Sequence, residues 1–383
     1  MNILIIGTGP AALMAGSQLI NKGHKITFFE QKKAAARKFL VAGHGGFNLS
    51  NTIEKAAFLN MYNRAEIQQM VAAFDENDLV TFLQSIGIAT YIGSSGKIFP
   101  EKHIKPIDVL QAWLKDLQAK GAQFFYEKEM LDFDNEKVYF FEKGSMASFA
   151  YDKLILALGG ASWAKTGATG KWLDLFESKG IKVLPFEASN AGFHIAHLAK
   201  LGNAQGEAIK NITCRLGNKE KYGEIVITDY GMEGAPIYFL NSEFRAGNTT
   251  LYIDCKPQFD LEKIENILQK AKNISQGLKD LKIAKPFIDY IKNTISKEQF
   301  LDIKTISPFI KNLPFEIEKL RPIEEAISTV GGLSFEAVNE DLSLKTYTNI
   351  YCCGEMLDWD APTGGYLLQA CFASGAWIGN KLQ

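Results

Sequence analysis

Long apolar runs, paired cysteines and an excess of charge of one sign are all missing from this 383-residue chain. Each absence removes a class of function. No stretch approaches the roughly 18 consecutive apolar residues of a membrane span. The first residues carry no basic segment ahead of a cleavable apolar one, so no secretory leader is expected. With 42 Lys and Arg against 43 Asp and Glu, the formal net charge is −1. That balance gives no electrostatic case for nucleic acid or a membrane surface as partner. The five cysteines, Cys214, Cys255, Cys352, Cys353 and Cys371, include no Cys-x-x-Cys pair. Odd in number and unpatterned, they fit a reducing cytoplasm. Cys352 and Cys353 fall in a predicted buried strand, where neighbours point to opposite faces, and read as small buried hydrophobes. His194 and His197, three apart, could share a helix face, but no third ligand is in view and no metal is expected. What is left is 46% hydrophobic and 22% charged, a globular composition with ample core and room for two or three domains.

What the chain does have comes first. Ile3 to Ile6 is an apolar run that reads as a buried parallel strand, followed by Gly7-Thr8-Gly9-Pro10-Ala11-Ala12. Gly7 permits a tight turn, Gly9 removes a side chain that would block a pyrophosphate, and Ala12 lets the next helix sit close on the strand. That helix would begin with free N–H groups and the positive end of its dipole aimed at the phosphates. A second strand, Lys25–Phe29, ends in Glu30, with Gln31 beside it. The acid lies about 20 residues past the glycines, where a ribose 2′-hydroxyl needs an acceptor and a 2′-phosphate would be repelled.

The first 186 or so residues alternate strands and helices, with helical patterns over 65–74, 76–87, 105–120 and 171–180. Short strands are expected at 122–126, 138–141, 153–158 and 181–184, with Ala157 and Gly159 closing the third. From 187 to 258 the texture turns to short strands. A Lys-rich helical block then runs from 260 to 320, and glycine-rich α/β texture returns at Pro322. The expected organisation is a discontinuous Rossmann-like α/β domain, 1–186 with 322–383, carrying a β-rich insert at 187–258 and a helical insert at 259–321.

Two further segments bear on the cofactor. The strand Asn349–Cys353 runs into Gly354-Glu355-Met356-Leu357-Asp358, where acids beside a close backbone suit a ribityl chain. Gly364-Gly365-Tyr366 then opens an apolar helix whose bare N–H groups suit the pyrimidine edge of an isoalloxazine. Nearer the start, Arg37 to Ser50 holds Gly43, Gly45 and Gly46, which let backbone lie flat on a planar ligand. Arg37 or Lys38 could pair phosphates and Asn48 could bond a ring carbonyl. A phosphate clamp at one end of the chain and a flavin clamp at the other favour FAD over NAD.

At these motifs the chain resembles the BaiN-like bacterial NAD(P)/FAD-dependent oxidoreductases, flavoproteins of the glutathione-reductase-like FAD superfamily. The match includes Gly7 to Ala12 with Glu30, Arg37 to Leu40, Asn48 to Ser50, Gly96 to Pro100, Gly331-Gly332, Gly354 to Asp358 and Gly364 to Gln369. It covers essentially the whole length. The resemblance implies FAD in the discontinuous domain, with a β-barrel-like and a helical insert beside it. Much of the family carries Gly-Arg-Cys-Asn where this chain has Gly45-Gly46-Phe47-Asn48, which places it in a divergent branch and leaves the substrate open.

The implied activity is flavin-dependent hydride transfer through N5 to or from a small organic molecule, such as reduction of an activated C=C bond. The mid-chain glycines, Gly159-Gly160 and Gly167 to Gly170, lack a second dinucleotide fingerprint. NAD(P)H is therefore expected only as a transient donor. Candidate acids are His44, Glu101, His103 and Tyr366, with His44 favoured because its loop should face the flavin. Two rival functions are a flavoprotein acting on a macromolecule such as tRNA, docked through Lys263, Lys270 and Lys272, and a non-catalytic FAD-binding redox sensor.

Overall fold

A computed structural model describes residues 1–41, 46–142 and 145–382. The chain divides into two compact units, one of Met1–Glu187 with the chain from Ser328, the other Ala188–Ile327. In the first unit β1 (Asn2–Ile6), α1 (Pro10–Ile20) and β2 (Lys25–Glu30) form the opening βαβ element. Ile3, Ile5 and Phe28 are fully buried, as strands covered on both faces require. Pro10 suits the first helical position because its missing N–H would have no partner there.

A short α2 (Arg37–Val41) is followed by β3 (Ser50–Asn51), α3 (Lys55–Leu59), α4 (Ala65–Ala73) and α5 (Glu76–Ser85). Asp75 and Asp78 form a reciprocal capping box at the start of α5. β4 (Thr90–Ile92) and β5 (Lys97–Pro100) join β3 in a small sheet. Helix α6 (Pro106–Ala119) buries Val109, Leu110, Trp113 and Leu117, a stripe at helical spacing. Then come β6 (Gln123–Tyr126), the antiparallel meander β7 (Met130–Phe133), β8 (Lys137–Glu142) and β9 (Ser145–Ala150), and β10 (Lys153–Leu156). Helix α7 (Trp172–Ser178) and β11 (Val183–Ser189) end this pass.

The second unit is a closed six-stranded barrel with helices. Its strands are β12 (Phe193–Ile195), β13 (Ala208–Leu216), β14 (Lys219–Ile227), β15 (Gly231–Glu233), β16 (Thr250–Asp254) and β17 (Leu313–Leu320), in the order β12-β15-β14-β13-β16-β17. Ile212, Cys214 and Leu216 alternate inward, as do Leu313, Phe315 and Ile317. Two short helices, α8 (Ala235–Phe239) and α9 (Asn241–Arg245), precede β16. Between β16 and β17 lie α10 (Leu261–Lys270), α11 (Ile274–Asp280), α12 (Lys285–Lys292), α13 (Lys297–Leu301) and α14 (Ile303–Lys311). Asp260, Asn273, Ser296 and Asp302 cap four of them. Ile264, Leu268, Phe287 and Ile306 share one core with the barrel strands.

Three sequence expectations change here. Residues 313–320, taken as the end of the helical block, are the strand that closes the barrel. The β-rich and helical stretches share a core and form one unit. Residues 322–327, expected in the cofactor domain, stay with the barrel, because Arg321 N–H bonds Gly192 O and Ile327 N–H bonds Asn190 O.

The chain returns to the first unit through β18 (Ser328–Leu333), β19 (Ile350–Cys352) and α15 (Tyr366–Lys381). The main sheet runs β19-β10-β1-β2-β6 with every pairing parallel. The last strand thus lies beside β10, one strand from the first. Among the described residues no helix is long and apolar enough to cross a membrane.

Candidate functional site

The carboxyl ends of β1, β2, β10 and β19 surround a cavity of about 310 Å³, at the edge where open parallel sheets bind ligands. Gly7 has φ +103°, and a Cβ there would lie 2.4 Å from Ala157 O, so only glycine fits. At Gly9 a Cβ would meet nothing within 4 Å, which leaves the approach to α1 open. No side chain caps α1, and Ala11 and Ala12 of its first turn line the cavity. Gly7, Gly9, Pro10, Glu30 and Gln31 line it as well, and so do Arg37, Lys38, Ala157 and Gly159. Gly354 and Glu355 complete it from the far end of the chain. A Cβ on Gly354 would lie 2.9 Å from Ala11 Cβ, which shows how closely the two ends meet.

At the end of β2, Glu30 accepts from Thr8 Oγ1 at 2.5 Å and from Lys32 N–H at 2.8 Å. Burial pushes its carboxyl above the ordinary value, and these two hydrogen bonds act against that rise. Thr8 Oγ1 also accepts from Ala36 N–H at 3.1 Å. Gln31 Nε2 donates to Gly167 O at 2.7 Å, and Trp172 Nε1 donates to Gly159 O at 3.0 Å, which hold the opposite wall.

Lys38 is not free to meet a phosphate as it stands. Its Nζ donates to both oxygens of Glu355, at 2.7 and 2.9 Å, and to Ser162 Oγ at 2.7 Å. Thr329 N–H donates to Glu355 at 3.3 Å, and Gly160 leaves room for both, since a Cβ there would lie 2.2 Å from Thr329 Oγ1. Arg37 is exposed and lines both this cavity and a neighbouring one with Lys32 and Lys33. Cys371 adds a half-buried thiol to the wall. Burial, with the Glu355 carboxylate, pushes that thiol up to about 12.

Other expected residues lie elsewhere. Asp358 is buried, accepts from Gly331 N–H at 3.2 Å and pairs with Arg64. It anchors the turn of Gly331 rather than lining the cavity. Gly365 packs against β3, where a Cβ would lie 2.5 Å from Ser50 O, and Gly364 O accepts from Asn51 Nδ2 at 3.3 Å. Tyr366 is buried against Phe58 and Tyr62. Gly46 is exposed, at φ +106°, and Asn48 is half-buried; neither lines the cavity, and the same holds for Glu101 and His103. Gly43, His44 and Gly45 lie outside the described residues. His194 lies in strand β12, with Nε2 3.1 Å from Arg321 Nη1, and does not share a helix face with His197.

Four residues that no sequence motif singled out, Thr8, Ser162, Thr329 and Cys371, belong to this wall or its hydrogen bonds. Thr8 had a signal, its seat between the two glycines; the other three are brought in by long-range pairing alone.

The family described as HI0933-like protein Rossmann domain matches residues 1–381. A ribosomal RNA dihydrouridine synthase of Haemophilus influenzae is 25% identical over 97% of this chain and 96% of its own length. A protein of the same name from Escherichia coli is 24% identical, over 98% and 96%. The 3-dehydro-bile acid delta(4,6)-reductase of Clostridium scindens is 22% identical, over 98% and 97%. Among solved structures, 3-ketosteroid-delta4-(5alpha)-dehydrogenase from Rhodococcus jostii shares the fold, with a TM-score of 0.52 and 11% identity, covering 100% of this chain and 97% of that one. A flavocytochrome c3 fumarate reductase in its open conformation does so at 0.54 and 12%, over 99% and 77%.

Proposed function

The chain belongs to the HI0933-like Rossmann family of FAD-dependent oxidoreductases, and we propose that it holds one FAD in the cavity and saturates a ring C=C bond conjugated to a carbonyl. The observation that carries this is the shared cavity wall: residues 7–12 and 354–355 meet around one space. Its lining suits the group. An uncapped α1 and an open Gly9 fit a pyrophosphate, and the Glu30 carboxylate fits a ribose hydroxyl. The half-apolar wall of Met130, Leu131 and Trp172 fits a flat ring system.

Bound FAD supplies a hydride at N5, so a proton must reach the second carbon and a donor must restore the electrons. The Gly7–Ala12 fingerprint follows the first strand of the five-stranded parallel sheet, while β10 of that sheet ends in Gly159-Gly160 without such a fingerprint, which supports NAD(P)H as a visitor rather than a second resident nucleotide. The names of the relatives support the bond class, since a dihydrouridine synthase and a delta(4,6)-reductase both saturate ring double bonds. Two of them point to a uracil ring in ribosomal RNA, and exposed Lys263, Lys270 and Lys272 offer phosphate contacts. A steroid-like enone is the second reading, favoured by the Clostridium relative.

The test is anaerobic. The purified protein is expected to show a flavin absorption spectrum that NADH or NADPH bleaches. Adding unmodified ribosomal RNA should restore it, with dihydrouridine appearing as a gain of two hydrogens by mass spectrometry. Reoxidation by a steroid enone alone would select the second reading. Reoxidation by neither would overturn the proposed reaction.

A further inference from the structure

We propose that Thr8 is a positioning residue for the cofactor: its hydroxyl orients the Glu30 carboxyl toward the adenosine ribose, and ties that acid to the segment carrying Arg37 and Lys38. The inference rests on the FAD reading above. Thr8 is 1% exposed, so its hydroxyl must find its partners inside the protein. It finds one of each kind, donating to Glu30 Oε2 and accepting from Ala36 N–H. Ala36 has φ +49° and immediately precedes α2, so the bond holds a left-handed residue in place as well. One hydroxyl therefore joins the β1–α1 turn, the end of β2 and the start of α2.

Consider Glu30 without it. Burial favours the protonated acid, and a protonated carboxyl turns one acceptor oxygen into a donor. Also acting on it are Lys32, whose N–H and charge both favour the carboxylate, the backbone N–H of Thr8, which does the same and survives loss of the hydroxyl, and Tyr126, opposite on β6. Arg37, Lys128 and Glu129 share the cavity wall. Thr8 fixes the Oε2 oxygen of Glu30 directly with its hydroxyl. Removing its hydroxyl should therefore weaken the ribose contact and shift the pH at which the acceptor is lost.

The experiment compares wild type, Thr8→Val and Thr8→Ser as flavin-stripped full-length chains, titrated with FAD and with FMN between about pH 5 and 9. Thr8→Val keeps the shape of the side chain and loses both hydrogen bonds. Its FAD dissociation constant should rise about tenfold to a hundredfold. The weakening of binding at low pH should also begin at higher pH than in wild type. FMN has no adenosine, so its binding should not change. Thr8→Ser should restore both affinity and pH profile. In a Glu30→Gln background, Thr8→Val should add no further pH dependence. Thr8→Ala, which removes the same hydroxyl with less bulk, takes the place of Thr8→Val if the latter does not fold. FAD binding by the hydroxyl-free variant that matches wild type at every pH would overturn the inference and leave the cofactor reading intact. A wild-type chain that binds no FAD would overturn both.

Discussion

Gly375 on α15 touches α1 with no side chain between them, and replacing it by alanine sets two effects of opposite sign against each other. A methyl at Gly375 would lie 2.2 Å from Ala11 O and 3.0 Å from Ala15 N, against 3.4 Å or more for an ordinary contact. Both atoms are backbone, so no rotamer change relieves the clash and the helices must part by about 1 Å. Intrinsic propensity favours alanine over glycine within a helix by about 1 kcal/mol. Overpacking of this kind costs roughly 1–3 kcal/mol, and Gly379, tight against Gln18, loses contact at the same time. A net loss of about 1–2 kcal/mol is expected, or about 2–6 °C in melting temperature. The site should feel it too, because Ala11 both receives the clash and lines the cavity. Flavin affinity should fall roughly tenfold as the first turn of α1 moves. Thermal melts with and without flavin, paired with flavin titration, read both effects. A Gly375→Ala protein that melts higher than wild type and binds flavin unchanged would show that propensity alone governs this position, and would refute the backbone contact.

Two other outcomes follow from the placement of titratable groups. Burial holds the Glu30 carboxyl above its ordinary value, so the folded protein keeps that proton to higher pH than the unfolded chain does. Stability from this group is present at low pH and lost as pH rises through the folded value. Flavin-stripped Glu30→Gln should therefore lose less melting temperature than wild type between weakly acidic and weakly alkaline pH, while binding FAD less tightly; equal slopes would contradict the buried placement. The thiols supply the second outcome. Burial pushes Cys214 up to about 12 and holds Cys352 well above the ordinary thiol value, so at mildly alkaline pH a thiol reagent should label the folded protein slowly and all five cysteines after unfolding. Cys371, on the cavity wall, should react first of the five and be protected by FAD. Prompt labelling of Cys352 or Cys353 in the folded protein would refute their burial.

How far the sequence revealed this depends on how local each constraint is. The turn at Gly7, the strand before it and Glu30 after it are fixed within thirty positions, and Ile6, Gly7 and Glu30 line the cavity. The alternation Leu313, Phe315, Ile317 was present in the sequence too. Lysine-rich helices on one side and Pro314 inside it hid a strand whose partners are β12 and β16. Asp358 shows the opposite case. A Gly-Glu-x-x-Asp run after a strand looks like a ligand site, yet the partner of its carboxylate, Arg64, is 294 positions away. No local pattern distinguishes an acid that meets a ribityl chain from one that meets an arginine. Gly365 was legible as a helix start but not as the place where the Ser50 backbone passes.

The same distinction explains how a barrel and seven helices can interrupt an α/β domain without dismantling its site. Closing a longer loop costs only about 0.6 kcal/mol for each doubling of its length, so distance along the chain is a weak penalty. What the site requires from the returning chain is register. Pairing of Leu154 with Ile350 and of Leu156 with Cys352 delivers Gly354 to the first turn of α1. Two residues of that return are then fixed by partners from the other end of the molecule: Glu355 by Lys38, 317 positions earlier, and Gly375 by the backbone of Ala11. A slip of one residue between β10 and β19 would turn every side chain of the last strand to the other face and separate both pairs at once. The cavity is therefore specified by one short stretch of sheet and its two clamps, whatever the length of chain between them.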